Sequence, residues 1–184
     1  YTALNTLSLH DALPIYDEAG KFDKGLASVS INGRWGLIDK NGELKCKIIY
    51  DSIFNNEGMS LIRVDLDGMT GYINRAGKVV IPIMYEEVIN YNDEAVVVRA
   101  GKKWGAYDST GKMAVPVNYE GIDNLNVYHD DKKGITTIYV NATLKKKPVF
   151  FSVQAKSQRT VKGEYTYGKW SKPKTKAKVK SNRK

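Results

Sequence analysis

KKWGAYDSTGKMAVPVNY (residues 102–119) has two earlier counterparts in the chain, GRWGLIDKNGELKCKIIY (33–50) and GMTGYINRAGKVVIPIMY (68–85). Aligned, they place Trp35-Gly36, Thr70-Gly71 and Trp104-Gly105 at separations of 35 and 34 residues. Gly42, Gly77 and Gly111 hold the same spacing, as do the pairs Tyr50-Asp51, Tyr85-Glu86 and Tyr119-Glu120. Tyr16-Asp17 lies 34 residues before Tyr50. A fixed period of this length is the mark of a repeat architecture. It divides the chain into three units, 16–49, 50–84 and 85–118.

Inside each unit the residues alternate as strands do between turn signals. LASVSI (26–31), LIRVDL (61–66) and AVVVRA (95–100) read as first strands. Asn32-Gly33, Asp67-Gly68 and Ala100-Gly101 follow, and Asn-Gly and Asp-Gly suit two-residue hairpin turns that need positive φ. RWGLID, MTGYIN and KWGAYD read as second strands. They end at Asp39, Asn74 and Asp108, each three residues before a glycine, which is the type I turn preference. The third strands are ELKCKIIY, KVVIPIMY and KMAVPVNY. Pro82 and Pro116 cannot donate to a ladder, so they are expected at a strand end or on an edge; the first unit has Ile48 at this place. The pairs Ile53-Phe54 and Val88-Ile89 point to a short fourth strand.

The shared pattern, G-(K/R)-W-G-x-(I/Y)-D-x-x-G-K-x-x-(I/V)-P-x-x-Y-(D/E), resembles the WG repeat of bacterial proteins. Phe22-Asp23-Lys24-Gly25-Leu26-Ala27 fits the F-x-x-G-L-A that often precedes the hairpin in such repeats. The resemblance runs from Tyr16 to about Gly121. Thr70 departs from it where the other units have Trp. It implies a bacterial interaction domain whose ligand is mostly undefined.

The expected fold is all-β: tandem short antiparallel hairpins of 34–35 residues, stacked into a curved solenoid or open barrel-like sheet. A unit of this length is short for a four-stranded blade of about 40–45 residues, so a β-propeller-like arrangement is the alternative. Neighbouring units must supply each other's core, because one unit is too small to bury its own apolar face. Beyond Tyr119 the period decays, and Ile138 falls where a Trp is due. Residues 119–155 are expected to form a degenerate closing unit with two strands, near 135–140 and 149–153.

The two ends read differently from the body. Residues 6–15, TLSLHDALPI, match one translated frame of a widely used short-read sequencing adapter, so 1–15 are expected to be artefactual. On that reading the natural chain is cut upstream of Tyr16, its targeting signal is lost, and the truncated array is prone to self-association. At the other end, eleven of the 29 basic residues fall within 156–184 with a single acid, Glu164, which leaves the body formally neutral. Such a segment is expected to be disordered. Lys172, Lys174, Lys176, Lys178, Lys180, Arg183 and Lys184 could hold a polyanion (nucleic acid, anionic lipid or wall polymer) loosely and with steep salt dependence. Tyr165, Tyr167 and Trp170 could stack on bases.

Catalytic chemistry finds no foothold in the sequence. Cys46 is the one cysteine, with Val80 and Ala114 as its counterparts, and outside the adapter stretch His129 is the one histidine. The Tyr-acid pairs recur once per unit with Asp and Glu interchanged. A catalytic pair needs two carboxyls in one place with different environments. Trp35 and Trp104 are read as rings packed between units. No catalytic, cofactor or metal residues are assigned, and no run is long and apolar enough for a membrane-spanning helix. The expectation is a non-catalytic scaffold for another protein or an envelope component, with polyanion binding through the tail as the alternative and a carbohydrate hydrolase as a remote third. The compartment stays open, with the envelope, periplasm or exterior preferred to the cytoplasm.

Overall fold

The computed structural model describes residues 16–55, 60–91 and 94–175. The adapter-like stretch 1–15 and the last nine residues, with Lys176, Lys178, Lys180, Arg183 and Lys184, lie outside the described residues. The chain is all-β and forms four antiparallel sheets in tandem. The first contains β1 (Glu18–Ala19), β2 (Leu26–Ile31), β3 (Arg34–Asp39) and β4 (Leu44–Tyr50). The second contains β5 (Ser52–Phe54), β6 (Leu61–Leu66), β7 (Met69–Asn74) and β8 (Val79–Tyr85). The third contains β9 (Glu87–Tyr91), β10 (Ala95–Ala100), β11 (Lys103–Asp108) and β12 (Met113–Tyr119). In all three the spatial order follows the chain. Four strands fit a 34-residue period because the strands are short and the hairpin turns tight. The apolar pairs Ile53-Phe54 and Val88-Ile89 lie in the fourth strand, which is the first of the following sheet.

The turns follow their residues. Asn32-Gly33 and Asp67-Gly68 all have positive φ, as a type I′ turn requires. The third hairpin corrects the Ala100-Gly101 assignment: Ala100 pairs with Lys103, so the loop is Gly101-Lys102. Only Gly101 has positive φ there, the signature of type II′. In the second turn, Asp39 Oδ1 accepts from the backbone N–H of Asn41 and Glu43, Asn74 Oδ1 from Ala76 and Lys78, and Asp108 Oδ1 from Thr110 and Lys112. The side chain thus takes backbone donors that the tight turn leaves without partners.

No sheet owns a core. Leu26, Leu37 and Tyr50 of the first sheet cluster with Ile62, Val64 and Ile73 of the second. Leu61, Tyr72 and Tyr85 of the second cluster with Val96, Val98 and Tyr107 of the third. Ala95, Val97 and Tyr119 of the third cluster with Leu125, Ile138 and Val140 beyond it. Side chains alternate across a strand, so in β10 Ala95 and Val97 face forward while Val96 and Val98 face back. That explains AVVV: a strand buried on both faces loses its polar alternation.

The closing unit departs most from expectation. It has three long strands, β13 (Gly121–Asp130), β14 (Ile135–Leu144) and β15 (Lys147–Arg159), joined by β16 (Tyr165–Tyr167) and β17 (Lys174–Thr175) along β15. The boundary placed after Ala155 therefore falls inside a strand, and two segments of the tail, β16 and β17, pair with that strand. Its lysines obscured an alternation in which Phe151, Val153, Ala155 and Tyr167 are buried. The hairpin of this unit is Lys145-Lys146, displaced because β13 and β14 are longer than their counterparts. Counted from that hairpin, the Trp position is Pro148 rather than Ile138.

Lys145 and Lys146 both hold positive φ (51° and 58°) without glycine or asparagine. Each carries about 1 kcal/mol of steric strain. The double variant Lys145→Asn, Lys146→Gly is expected to stabilise the protein by about 1–2 kcal/mol. An unchanged denaturant midpoint would mean that the loop does not hold this conformation in solution.

Candidate functional site

The acids of the Tyr-acid pairs clamp hairpin turns. Asp17 Oδ2 accepts from the backbone N–H of Asn32, Asp51 Oδ2 from Asp67 (2.6 Å), Glu86 Oε1 from Gly101 (3.3 Å) and Glu120 Oε2 from Lys146 (2.8 Å). The backbone N–H of each acid also donates across the sheet, to Ser30, Asp65, Arg99 and Thr143. Arg34 pairs with Asp51, and Arg99 with Glu86. These carboxylates sit one per unit, each engaged at its own turn.

The preceding tyrosines face the next unit. Tyr50, Tyr85 and Tyr119 are the cross-strand partners of Trp35, Thr70 and Trp104, and all three are buried in the seam cores. Trp35 and Trp104 pack half-buried on the same cores. Between each such pair and the next, one residue of the second strand opposes three of the third, a bulge. The residue opposite the bulge is Gly36, Gly71 or Gly105. A Cβ on Gly71 would lie 2.7 Å from Ile81 O and Ile83 Cα, and one on Gly105 2.8 Å from Val115 O. The repeated glycine thus admits a neighbouring backbone. Pro82 and Pro116 occupy the bulge on an edge strand, where no ladder donor is needed. By this register their counterpart is Lys47, not Ile48, and the counterparts of Cys46 are Ile81 and Val115, not Val80 and Ala114. Burial pushes the Cys46 thiol up to about 11, so it stays protonated and unreactive at neutral pH.

Thr70 substitutes a polar cluster for the missing ring. Its hydroxyl donates to Asp65 (2.6 Å), which also accepts from Ser52 Oγ and Arg63 Nε. Burial opposes ionisation of Asp65, but these donors outweigh it and hold the carboxyl below its ordinary value. Arg63 lies over the ring of Phe54.

A repeated feature that the sequence reading missed lies on the edge strands. Leu44, Val79 and Met113 begin β4, β8 and β12, and all three are exposed. Ile49 and Met84, just before the motif tyrosines, are exposed as well. Strands β4 and β8 share one burial pattern from end to end. The signal was present in the 35- and 34-residue spacing of Leu44, Val79 and Met113. It was masked by reading every periodic apolar position as core.

The C-terminal segment forms a strap. Tyr165 stacks on His129 at 3.6 Å, and Tyr167 lies between Tyr165 and Trp170. Trp170 Nε1 donates to buried Asp108 (2.6 Å), and Lys112 Nζ to the Tyr167 carbonyl. These rings are engaged with one another rather than presented to bases. The strap borders a cleft of about 600 Å³ with Leu61 and Asn74 of the second sheet and Glu94 and Thr110 of the third. The run His129-Asp130-Asp131 disperses: His129 contacts Thr136 and Glu94, Asp130 pairs with Lys133, and Asp131 accepts from Tyr165. Among the described residues, no three His, Cys, Asp or Glu side chains are grouped to hold a metal ion. Of the lysines assigned to polyanion binding, Lys172 and Lys174 lie among the described residues, and both are exposed.

The sequence model of the WG containing repeat matches this chain four times, over residues 13–35, 35–68, 71–104 and 104–126, more than half its length. The matched segments run broadly from Trp position to Trp position, so they straddle the sheets. No curated protein matches the chain.

Proposed function

This chain belongs to the WG containing repeat family, and from that premise we propose that it is a non-catalytic scaffold whose repeated edge holds another protein or a component of the cell envelope. The exposed row Leu44, Val79, Met113, flanked by Ile49 and Met84, carries the reading. Apolar residues exposed once are ordinary; residues exposed at one position of successive units make an extended surface. The bulges and prolines on these strands hinder pairing by a further strand, so a partner would be read through side chains.

The triple variant Leu44→Ser, Val79→Ser, Met113→Ser tests this. Its melting temperature is expected to stay within about 2 °C of the parent, because exposed substitutions away from packing cost little. Saturable capture of the parent's partner from extract of the source cells should be lost. Undiminished capture by the folded variant would place binding elsewhere. A truncation meant to remove only basic tail should follow Thr175, since one after Ala155 would cut β15.

A further inference from the structure

The outward face of the closing sheet carries a line of exposed rings. In the three preceding sheets the forward face is apolar and covered by the next sheet. On the closing sheet that face is made by alternate residues of β13, β14 and β15. Tyr128 is 58% exposed, Tyr139 36% and Phe150 54%. The register sets them on a diagonal: Tyr128 pairs with Thr137, Tyr139 with Asn126 and Ser152, and Phe150 with Asn141. Diagonal neighbours in a sheet lie about 7–8 Å apart, so the rings form one line across three strands. The positions between them are filled by asparagine, glutamine, serine and threonine, with Asn124 and Gln154 completing the face. The chain is 27% charged, yet these rows carry no charge. Asp130, Lys156 and Lys174 appear only at their margins.

A face that merely closed the array would need a polar surface; it would not need three exposed rings. A protein-binding patch shares the tyrosine and phenylalanine but brings arginine and methionine with them and is poor in serine and threonine; these rows hold no arginine or methionine, and Thr137, Ser152, Asn126, Asn141 and Gln154 fill the places between the rings. We propose that this face binds a neutral polysaccharide. Sugar rings would lie on Tyr128, Tyr139 and Phe150, and hydroxyls would bond to the amides and hydroxyls between them. The ligand would be an extended uncharged glycan chain, because the rings run across three strands and the rows between them are uncharged. The proposal does not rest on the edge row, which belongs to other strands.

Native electrophoresis toward the cathode, in gels containing hydroxyethyl cellulose, laminarin or glycol chitin, tests it on the full chain, with polygalacturonate as the anionic control. Retardation by at least one neutral polymer is expected. Tyr128→Ala and Phe150→Ala should each weaken it about tenfold without changing the melting temperature, and Leu44→Ser, Val79→Ser, Met113→Ser should leave it unchanged. The proposal is overturned if no neutral polymer retards the protein, if polygalacturonate alone does, or if retardation survives both aromatic substitutions. It is also overturned if those substitutions abolish a dimer and change no glycan binding, for the face would then be a contact between two copies.

Discussion

Gly77→Ala is expected to destabilise the protein by about 3–4 kcal/mol, whereas Gly42→Ala, at the equivalent turn of the first unit, should cost about 1 kcal/mol. The two glycines share their backbone conformation, with φ of 78° and 80°, so the steric cost of a left-handed alanine is common to both. Their surroundings differ. A methyl on Gly42 would meet nothing within 4 Å, while one on Gly77 would run into the backbone carbonyl of Lys45 in the preceding sheet. The extra cost is the price of overpacking a seam that has no flexible side chain to move aside. Gly111, whose methyl would meet the Val80 side chain at 2.6 Å, should fall between them. Thermal melts of the three variants decide this: about 10 °C lost for Gly77→Ala against 2–4 °C for Gly42→Ala. Equal shifts would mean that the second sheet does not seat on the first as described.

Asp108→Ala should cost about 3–5 kcal/mol and also release the C-terminal strap. Its carboxylate is fully buried and accepts from Thr110 N–H, Thr110 Oγ, Lys112 N–H and Trp170 Nε1. Removing it strands those donors away from water. Asp108→Asn separates the two roles. Asn74 performs the same turn function in the second unit, so asparagine should keep the turn at position 108. Its amide can instead meet the Trp170 indole donor to donor, so the strap should loosen for a loss of about 1–2 kcal/mol. Trypsin should then cut after Lys169 faster in both variants, and tryptophan emission should shift to the red. A strap that stays protected in Asp108→Ala would show that Tyr165 and Tyr167 hold it without Trp170.

The repeat, its turns and its third-strand prolines were legible because each rests on local chemistry: positive φ at Asn32-Gly33, an Asx acceptor at Asp39, a missing N–H at Pro82. The one-residue errors at Ile48 and at Cys46's counterparts came from spacing and not from structure: the distance from the Trp position to the tyrosine is 15 residues in all three units, which already aligns Lys47 with Pro82 and Pro116, and Cys46 with Ile81 and Val115. The closing unit was under-read for another reason. Its strands are longer than their counterparts in the first three units, so the spacing that identified those units no longer applied, and lysines on one face of β15 and the strap hid the buried Phe151, Val153 and Tyr167 on the other. The acids of the Tyr-acid pairs were placed at turns or strand ends by their repetition, but their partners are contacts across 15 to 26 residues that spacing does not reveal. Exposed periodic residues such as Val79 and exposed rings such as Tyr128 were invisible as a class, because the sequence shows where apolar residues recur and not which face is covered.

Each core being shared by two neighbours has a consequence for inheritance. An unequal crossover between equivalent codons of two units would delete or duplicate one sheet together with one seam. The sheets that remain would still meet a neighbour of similar shape. Array length can therefore change in a single genetic step without passing through a protein that lacks a core. Under such exchange the interior faces are held to a common form, while the outward face of the last sheet, against which no further sheet of the described residues packs, is free to diverge.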